Sequence, residues 1–426
     1  MAKAEKIKLP EKYDLVVGDN FELFYKGIFN AIDPLRFDFE LSFDEGNYGH
    51  SYRRKFEWTP TERDIGDHKL YITVRDDDGC EIDSSSVILR VVPIPTSPRT
   101  EKVVLCIGDS LTRNGVWCAE AYRRLTAKDG SPVGYGLKNI RFIGDKVLDG
   151  AGYVGYGGWQ FNSYNTEYKN GKNYNIYGNF DKTDADQHSL YKDEAGNVWK
   201  LESISEGEIK IIMEAGAPRT LPSFGRLVHE SGGENSEDIV YSSSAETAGN
   251  PLWNSETSRV DFSKFTEDHG AEKIDFCYVL LGWNATNLDE CRFKSHAREF
   301  LDNLLSAYPD CKITLMGLQV PSRDGMGQNY GVAWKYYEKL QAVWNINKWY
   351  VEISKEDKYS SSVEYMNLAG QFDTEYSMPT KEVAVNNRLS ETEIRQCNGV
   401  HPAQSGYLQI ADAVLRNFAS RLAEDL

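Results

Sequence analysis

Ser110 ends a run, Val103-Val104-Leu105-Cys106-Ile107-Gly108-Asp109-Ser110-Leu111, in which apolar and β-branched residues stop at Gly-Asp-Ser. Three later stretches carry residue types that do chemistry: Gly155-Tyr156-Gly157-Gly158-Trp159, Leu281-Gly282-Trp283-Asn284 and Asn398-Gly399-Val400-His401-Pro402. Acyl transfer needs a nucleophile, a base to take its proton, and donors aimed where an oxyanion forms. A serine hydroxyl, an imidazole, a glycine backbone N–H and an amide side chain make up such a set. Glycine lets the backbone approach a substrate closely, and an amide donates without bringing charge. Each residue also has an ordinary explanation. Ser110 suits a helix N-cap, Gly158 a turn, Asn284 a strand end, and His401 the start of a helix before Pro402. Singly, those explanations suffice; all four in order favour chemistry.

The elements that must hold these residues follow from the same sequence. After Ser110, Val116, Trp117, Ala119, Ala121, Tyr122 and Leu125 fall at helical spacing, so a strand feeds a helix through a tight polar turn. That turn sits at the carboxyl edge of a sheet, where open α/β sheets place their chemistry. Strand-like runs recur at 103–107, 140–144, 275–281, 312–317 and 363–368, and helical patterns at about 115–127, 292–307, 332–350 and 403–423. Alternation of this kind predicts a parallel sheet covered by helices on both faces, a three-layer, flavodoxin-like α/β fold.

In these motifs the chain resembles the SGNH hydrolase superfamily, the GDSL-type esterases, which carry Ser, Gly, Asn and His in this order. The resemblance covers about residues 101–424 apart from an insertion. It implies a nucleophile at Ser110, an oxyanion hole formed by Ser110, Gly158 and Asn284, and a general base at His401. Two positions depart from the family. Ala285 follows Asn284 where Asp is common, and Asn398 stands three residues before the histidine where the family has Asp. Asparagine can orient an imidazole through its oxygen but brings no charge to the imidazolium. The matching Asp-to-Asn change in a serine-protease triad costs about 10⁴ in kcat. A neutral acceptor, Asn398 or a backbone carbonyl, is therefore expected beside His401. Asp373, Glu391 and Glu393 are the carboxylates nearest in sequence that could replace it.

Upstream, residues 13–92 read as all-β. Phe37, Phe39, Leu41 and Phe43 alternate with polar residues, as do Leu70, Ile72 and Val74, and Val87, Leu89 and Val91. The Asp76-Asp77-Asp78-Gly79 stretch suits a hairpin turn; it lacks the spacing and the distal Glu of a calcium loop. This part resembles the immunoglobulin-like modules attached to carbohydrate-active enzymes. Three prolines in Pro93-Ile94-Pro95-Thr96-Ser97-Pro98 mark a linker, which divides a domain at 1–95 from one at 96–426. Between about 160 and 270 lies more chain than one βα connection needs, with β patterns at 198–204 and 209–212 and several tyrosines, Tyr164, Tyr168, Tyr174 and Tyr177 among them. An inserted β-containing subdomain is expected there, either a lid or substrate platform or plain decoration.

The 426 residues carry a formal net charge of -17 with no basic stripe, which argues against nucleic acid or an anionic membrane as partner. No apolar run reaches the roughly 18 residues of a membrane span. No signal peptide is visible, and the seven cysteines are scattered, so a cytoplasmic, reducing location is expected unless a signal was removed. No cysteine pair has zinc-ligand spacing and the histidines form no His-Glu-x-x-His, so neither metal nor other cofactor is expected. The expected activity is serine esterase, on O-acetyl groups of a polysaccharide or oligosaccharide. The rivals are a carbohydrate-binding or structural protein on a degenerate esterase fold, and a lipase or acylhydrolase acting on non-sugar esters.

Overall fold

The computed structural model describes residues 6–424 apart from 169–172, 178–188, 206–207, 218–220, 223, 233–236, 242–244, 248 and 326–334. It divides into two compact units, Met1–Phe161 with Thr266–Leu426, and Asn162–Phe265.

In the larger unit the alternating runs of the N-terminal region pair as sheets. Strands Lys12–Val16, Glu81–Val92, Gly66–Arg75 and Asp38–Phe43 lie side by side in that order, and Phe21–Phe24, Lys55–Trp58 and His50–Ser51 form a second sheet. Both contribute to one core: Leu70, Ile72, Val74 and Leu89 from the first sheet meet Phe21, Leu23 and Phe56 from the second. Period-two burial is what a sheet wet on one face requires. The turn at 76–79 joins two antiparallel strands, with Asp76 Oδ1 accepting from Asp78 N (3.1 Å) and Cys80 N (2.9 Å).

The rest of the unit is built on a parallel sheet. Its parallel strands are β1 (Lys102–Gly108), β2 (Ile140–Ile143), β3 (Ala151–Gly155), β4 (Phe276–Leu280), β5 (Lys312–Met316) and β6 (Val363–Met366), and the short strand Lys146–Leu148 adds an antiparallel edge beside β3. The helices are α1 (Val116–Thr126), α2 (Glu290–Ala307), α3 (Tyr336–Ser354) and α4 (Gln404–Glu424). β1 pairs with β4, β4 with β5 and β5 with β6, all parallel. On its other side β1 pairs first with β2 and then, at Ile107 and Gly108, with β3. With β3 extending the edge begun by β2, the result is a mixed α/β fold on a parallel sheet. β1 is buried along Val103–Gly108, as a strand covered on both faces must be. In α2 the buried residues Phe293, Ala297, Phe300, Leu301 and Leu304 form one stripe, and Asp289 caps the helix by accepting from Arg292 N at 2.9 Å.

The second unit carries an antiparallel sheet of seven strands, including the hairpin Val198–Ser205 with Glu208–Ala215 where β patterning was expected. Tyr174, Tyr191, Trp199, Leu201 and Ile211 form its core. Tyr164 and Tyr174 are buried, so these rings fill the interior rather than offering a stacking surface. The side chain of Tyr177 lies outside the described residues.

Candidate active site

β1 ends at Gly108, and the glycine is required by close packing: a Cβ there would lie 2.1 Å from Thr112 Oγ1 and 2.6 Å from the Leu280 carbonyl oxygen. The chain then turns back on itself, with Thr112 N and Arg113 N both donating to the Asp109 carbonyl at 3.0 Å. This turn puts Ser110 at the carboxyl edge of the sheet, half-buried between the buried Asp109 and Leu111.

The other three segments reach the same edge. β3 lies in register with β1 at Gly155 and Gly108, so the stretch from Tyr156 to Trp159 leaves the sheet beside the Ser110 turn. Gly158 has φ of +83°, a left-handed backbone that favours glycine, and no atom lies within 4 Å of where its Cβ would be. Asn284 sits in a 3₁₀ turn just after β4. Its Nδ2 donates to the Trp159 carbonyl at 3.0 Å and to Asp109 Oδ2 at 3.2 Å, joining the glycine-rich stretch to the Ser110 turn. His401 lies between β6 and α4, with its Nε2 2.8 Å from Ser110 Oγ.

Asn398 is next to His401 in a way the sequence did not anticipate. Its Oδ1 accepts from Val400 N (3.0 Å) and His401 N (2.9 Å), so the oxygen faces the backbone. Two N–H donors there exclude the amide nitrogen, and Nδ2 is left facing His401 Nδ1 at 3.4 Å. The expected oxygen-to-imidazole contact is therefore replaced by a nitrogen-to-nitrogen one. Of the carboxylates expected as substitutes, Glu391 is exposed and the other two are engaged elsewhere. Asp373 is bidentate to Arg54 (2.9 and 2.6 Å), and Glu393 pairs with Arg395.

Two supporting residues had no sequence signal beyond their neighbours. Asp109 is fully buried, accepts from Leu111 N at 3.0 Å through Oδ1 and from Asn284 through Oδ2. Burial pushes its carboxyl up to about 7 even though backbone donors act the other way. Gln319, also fully buried, donates to the Val400 carbonyl at 2.8 Å and accepts from Trp283 Nε1 at 3.3 Å, tying the His401 loop to the Asn284 loop. Among the described residues no group of His, Cys, Asp and Glu side chains is arranged to hold a metal ion.

No protein-family model and no curated protein sequence matches the chain. Solved structures do. A carbohydrate esterase family 2 enzyme with its carbohydrate-binding domain from Corynascus thermopiles (Myceliophthora fergusii) is 11% identical, with 98% of each chain covered and a TM-score of 0.29. A family two carbohydrate esterase from Cellvibrio japonicus is 11% identical over 95% of this chain and 88% of its own, at a TM-score of 0.29. A carbohydrate esterase family 3 structure from Talaromyces cellulolyticus is 12% identical over 76% of this chain and 99% of its own, at 0.34. The chain resembles SGNH-type esterases in the order of its four motif residues.

Proposed function

We propose that the chain is a serine esterase of SGNH type that removes O-acetyl groups from a polysaccharide or oligosaccharide through an acyl-serine intermediate. The observation that carries this reading is the 2.8 Å contact between Ser110 Oγ and His401 Nε2 at the carboxyl edge of the sheet. In the first step Ser110 Oγ attacks the ester carbonyl carbon while His401 Nε2 takes the hydroxyl proton. The Ser110 and Gly158 backbone N–H groups bind the oxyanion together with the Asn284 amide, which keeps one hydrogen on Asp109 and turns the other from the Trp159 carbonyl to the substrate. As the tetrahedral intermediate collapses, the C–O bond to the sugar breaks and His401 returns the proton to the leaving alcohol. Water, deprotonated by His401, then attacks the acyl-serine and releases the carboxylic acid.

The choice of a sugar ester rests on the N-terminal β-sandwich, which we take as an immunoglobulin-like domain over residues 1–95 beside a catalytic domain at 96–426 with its insertion. Hydrolysis of p-nitrophenyl acetate and of acetylated oligosaccharides by the wild type and by Ser110→Ala tests both parts. Ser110→Ala is expected to lose at least ~10³-fold in kcat. Equal rates in the two proteins would instead favour a carbohydrate-binding protein on a degenerate esterase fold.

A base at Nε2 requires the proton on Nδ1, yet Nδ1 faces the Asn398 amide N–H₂. In Asn398→Asp one carboxylate oxygen keeps the backbone donors and the other accepts from Nδ1–H. Its kcat is expected to rise by up to ~10³–10⁴-fold, the range set by the triad comparison. An unchanged rate would mean that another group already orients the imidazole.

A further inference from the structure

We propose that Tyr376 is a platform on which a sugar ring of the ester substrate stacks, and that Arg54, from the N-terminal sheets, holds the platform in place. The inference rests on the sugar-ester reading and names where that sugar is held.

Tyr376 is 72% exposed, more than any other large hydrophobic side chain among the described residues. A single exposed ring is ordinary on a protein surface. What sets this one apart is how it is fastened. The Arg54 guanidinium carbon lies 4.5 Å from the ring centroid, a cation against the aromatic face. Asp373, itself buried, binds that guanidinium through both oxygens, at 2.9 and 2.6 Å. Its Oδ1 also accepts from Glu375 N at 3.0 Å and Tyr376 N at 3.3 Å. One carboxylate thus fixes both the backbone that carries the ring and the cation behind it. With Arg54 on one face and most of its surface in water, the ring turns its other face to solvent in a set position. Ordering a loose side chain on binding costs affinity, and a ring already held avoids that cost.

The platform stands beside the base. The Ser377 carbonyl accepts from Ala403 N at 2.9 Å, and Ala403 follows His401 by two residues. From the spacing of consecutive Cα atoms, those of Tyr376 and His401 are at most about 17 Å apart. Next to Glu375 a cavity of about 240 Å³ opens, lined on one side by Asp33 and on another by Arg323, both exposed. A sugar ring has an apolar C–H face and a rim of hydroxyls. The face of Tyr376 suits the first, and an acceptor at Asp33 with donors at Arg323 suits the second. An ester of a small alcohol has neither part and does not reach the platform.

The test compares acetate release from acetylated xylohexaose and from ethyl acetate by the full chain. Ethyl acetate carries no sugar, so the ratio of the two kcat/KM values reports on the platform and cancels any loss of folded protein. In Tyr376→Ala the ratio is expected to fall ~3–10-fold, through KM for the oligosaccharide, with the ethyl acetate constants unchanged. Tyr376→Trp, which keeps an aromatic face, should keep the ratio. Arg54→Gln should lower the ratio when Tyr376 is present and leave it unchanged in Tyr376→Ala, because its effect runs through the ring. An unchanged ratio in Tyr376→Ala would overturn the platform. An effect of Arg54→Gln that persists in Tyr376→Ala would overturn the positioning role. If neither ester is hydrolysed, the esterase reading fails; then, or if only ethyl acetate is hydrolysed, calorimetric titration of the oligosaccharide into wild type and Tyr376→Ala decides. Binding weakened ~3–10-fold by the substitution supports the platform, and equal binding or none overturns it.

Discussion

At the scale of single residues, Asp109 is the one whose chemistry is most exposed to test. Its carboxylate fastens the Asn284 amide and the backbone of the Ser110 turn together, so Asp109→Asn is expected to lower kcat more than it changes KM. The carboxyl takes up a proton below about pH 7, where it becomes a poorer acceptor, so the wild-type rate should decline on acidification through that range. Tyr350 from α3 feels this carboxylate, which raises its ionisation after burial has done most of the work. In Asp109→Asn the Asp109 limb of the profile should vanish; a profile identical to wild type would remove the role. Stability should carry the opposite sign. A carboxyl with a raised folded pKa binds its proton more tightly in the native state, so its contribution declines as pH rises from about 4 to 7. The thermal midpoint of Asp109→Asn should lose that slope. Sequence alone singled out Ser110, Asn284 and His401 because few residue types do their chemistry. It could not show that both Asn284 hydrogens and the Asn398 oxygen are already engaged, since hydrogen-bond partners depend on distances that spacing does not encode.

At the scale of elements, the strands and helices of the parallel sheet were legible because burial on both faces leaves unbroken apolar runs and one-sided helices leave stripes. β3 was not. Of its five residues, Ala151-Gly152-Tyr153-Val154-Gly155, three are glycine or alanine, and they show neither period although all are buried. The tyrosines of the second unit were legible as aromatic, but no local pattern told that Tyr164 and Tyr174 would be buried. In the same unit the hairpin of Leu190–Lys192 and Val198–Ser205 turns on Asp193, which accepts from Ala195 N (2.9 Å) and Asn197 N (3.0 Å) through Oδ1 and from Trp199 Nε1 (3.0 Å) through Oδ2. Asp193→Ala leaves the Trp199 N–H buried without that acceptor, and is expected to cost about 2 kcal/mol or more. Hydrogen exchange should show the loss within residues 190–215; protection equal to wild type would assign the turn's stability elsewhere.

At the scale of the whole molecule, the linker reading separated what the packing of the larger unit joins. Asp19, from the N-terminal sheets, accepts from Arg124 of α1 at 2.7 Å and from Arg416 of α4 at 2.9 Å, and both arginines are buried. Arg54 to Asp373 and Asn30 to Gln341 add further bonds between the two parts. No local pattern reveals such contacts, because the partners lie hundreds of residues apart. Asp19→Ala leaves two buried guanidinium groups short of a carboxylate, and a loss of about 3–5 kcal/mol is expected. Urea unfolding followed by tryptophan fluorescence and by far-ultraviolet dichroism should shift together. Separate transitions would show that the N-terminal sheets and the parallel sheet unfold independently.

That aspartate also fixes a timetable. The N-terminal sheets leave the ribosome first, but Arg416 follows Asp19 by 397 residues, and Asn417, which donates to Asp14, follows its partner by 403. Synthesis at about 5–20 residues per second puts a delay of tens of seconds between the two ends of each bond. Until α4 emerges, Asp14 and Asp19 face water, and the nascent sheets wait without the helix that covers them. Their closure is among the longest-range contacts the chain makes, and such contacts form late. A nascent chain arrested before residue 404 should therefore be cut readily by protease within its first hundred residues. One arrested with α4 outside the exit tunnel should resist.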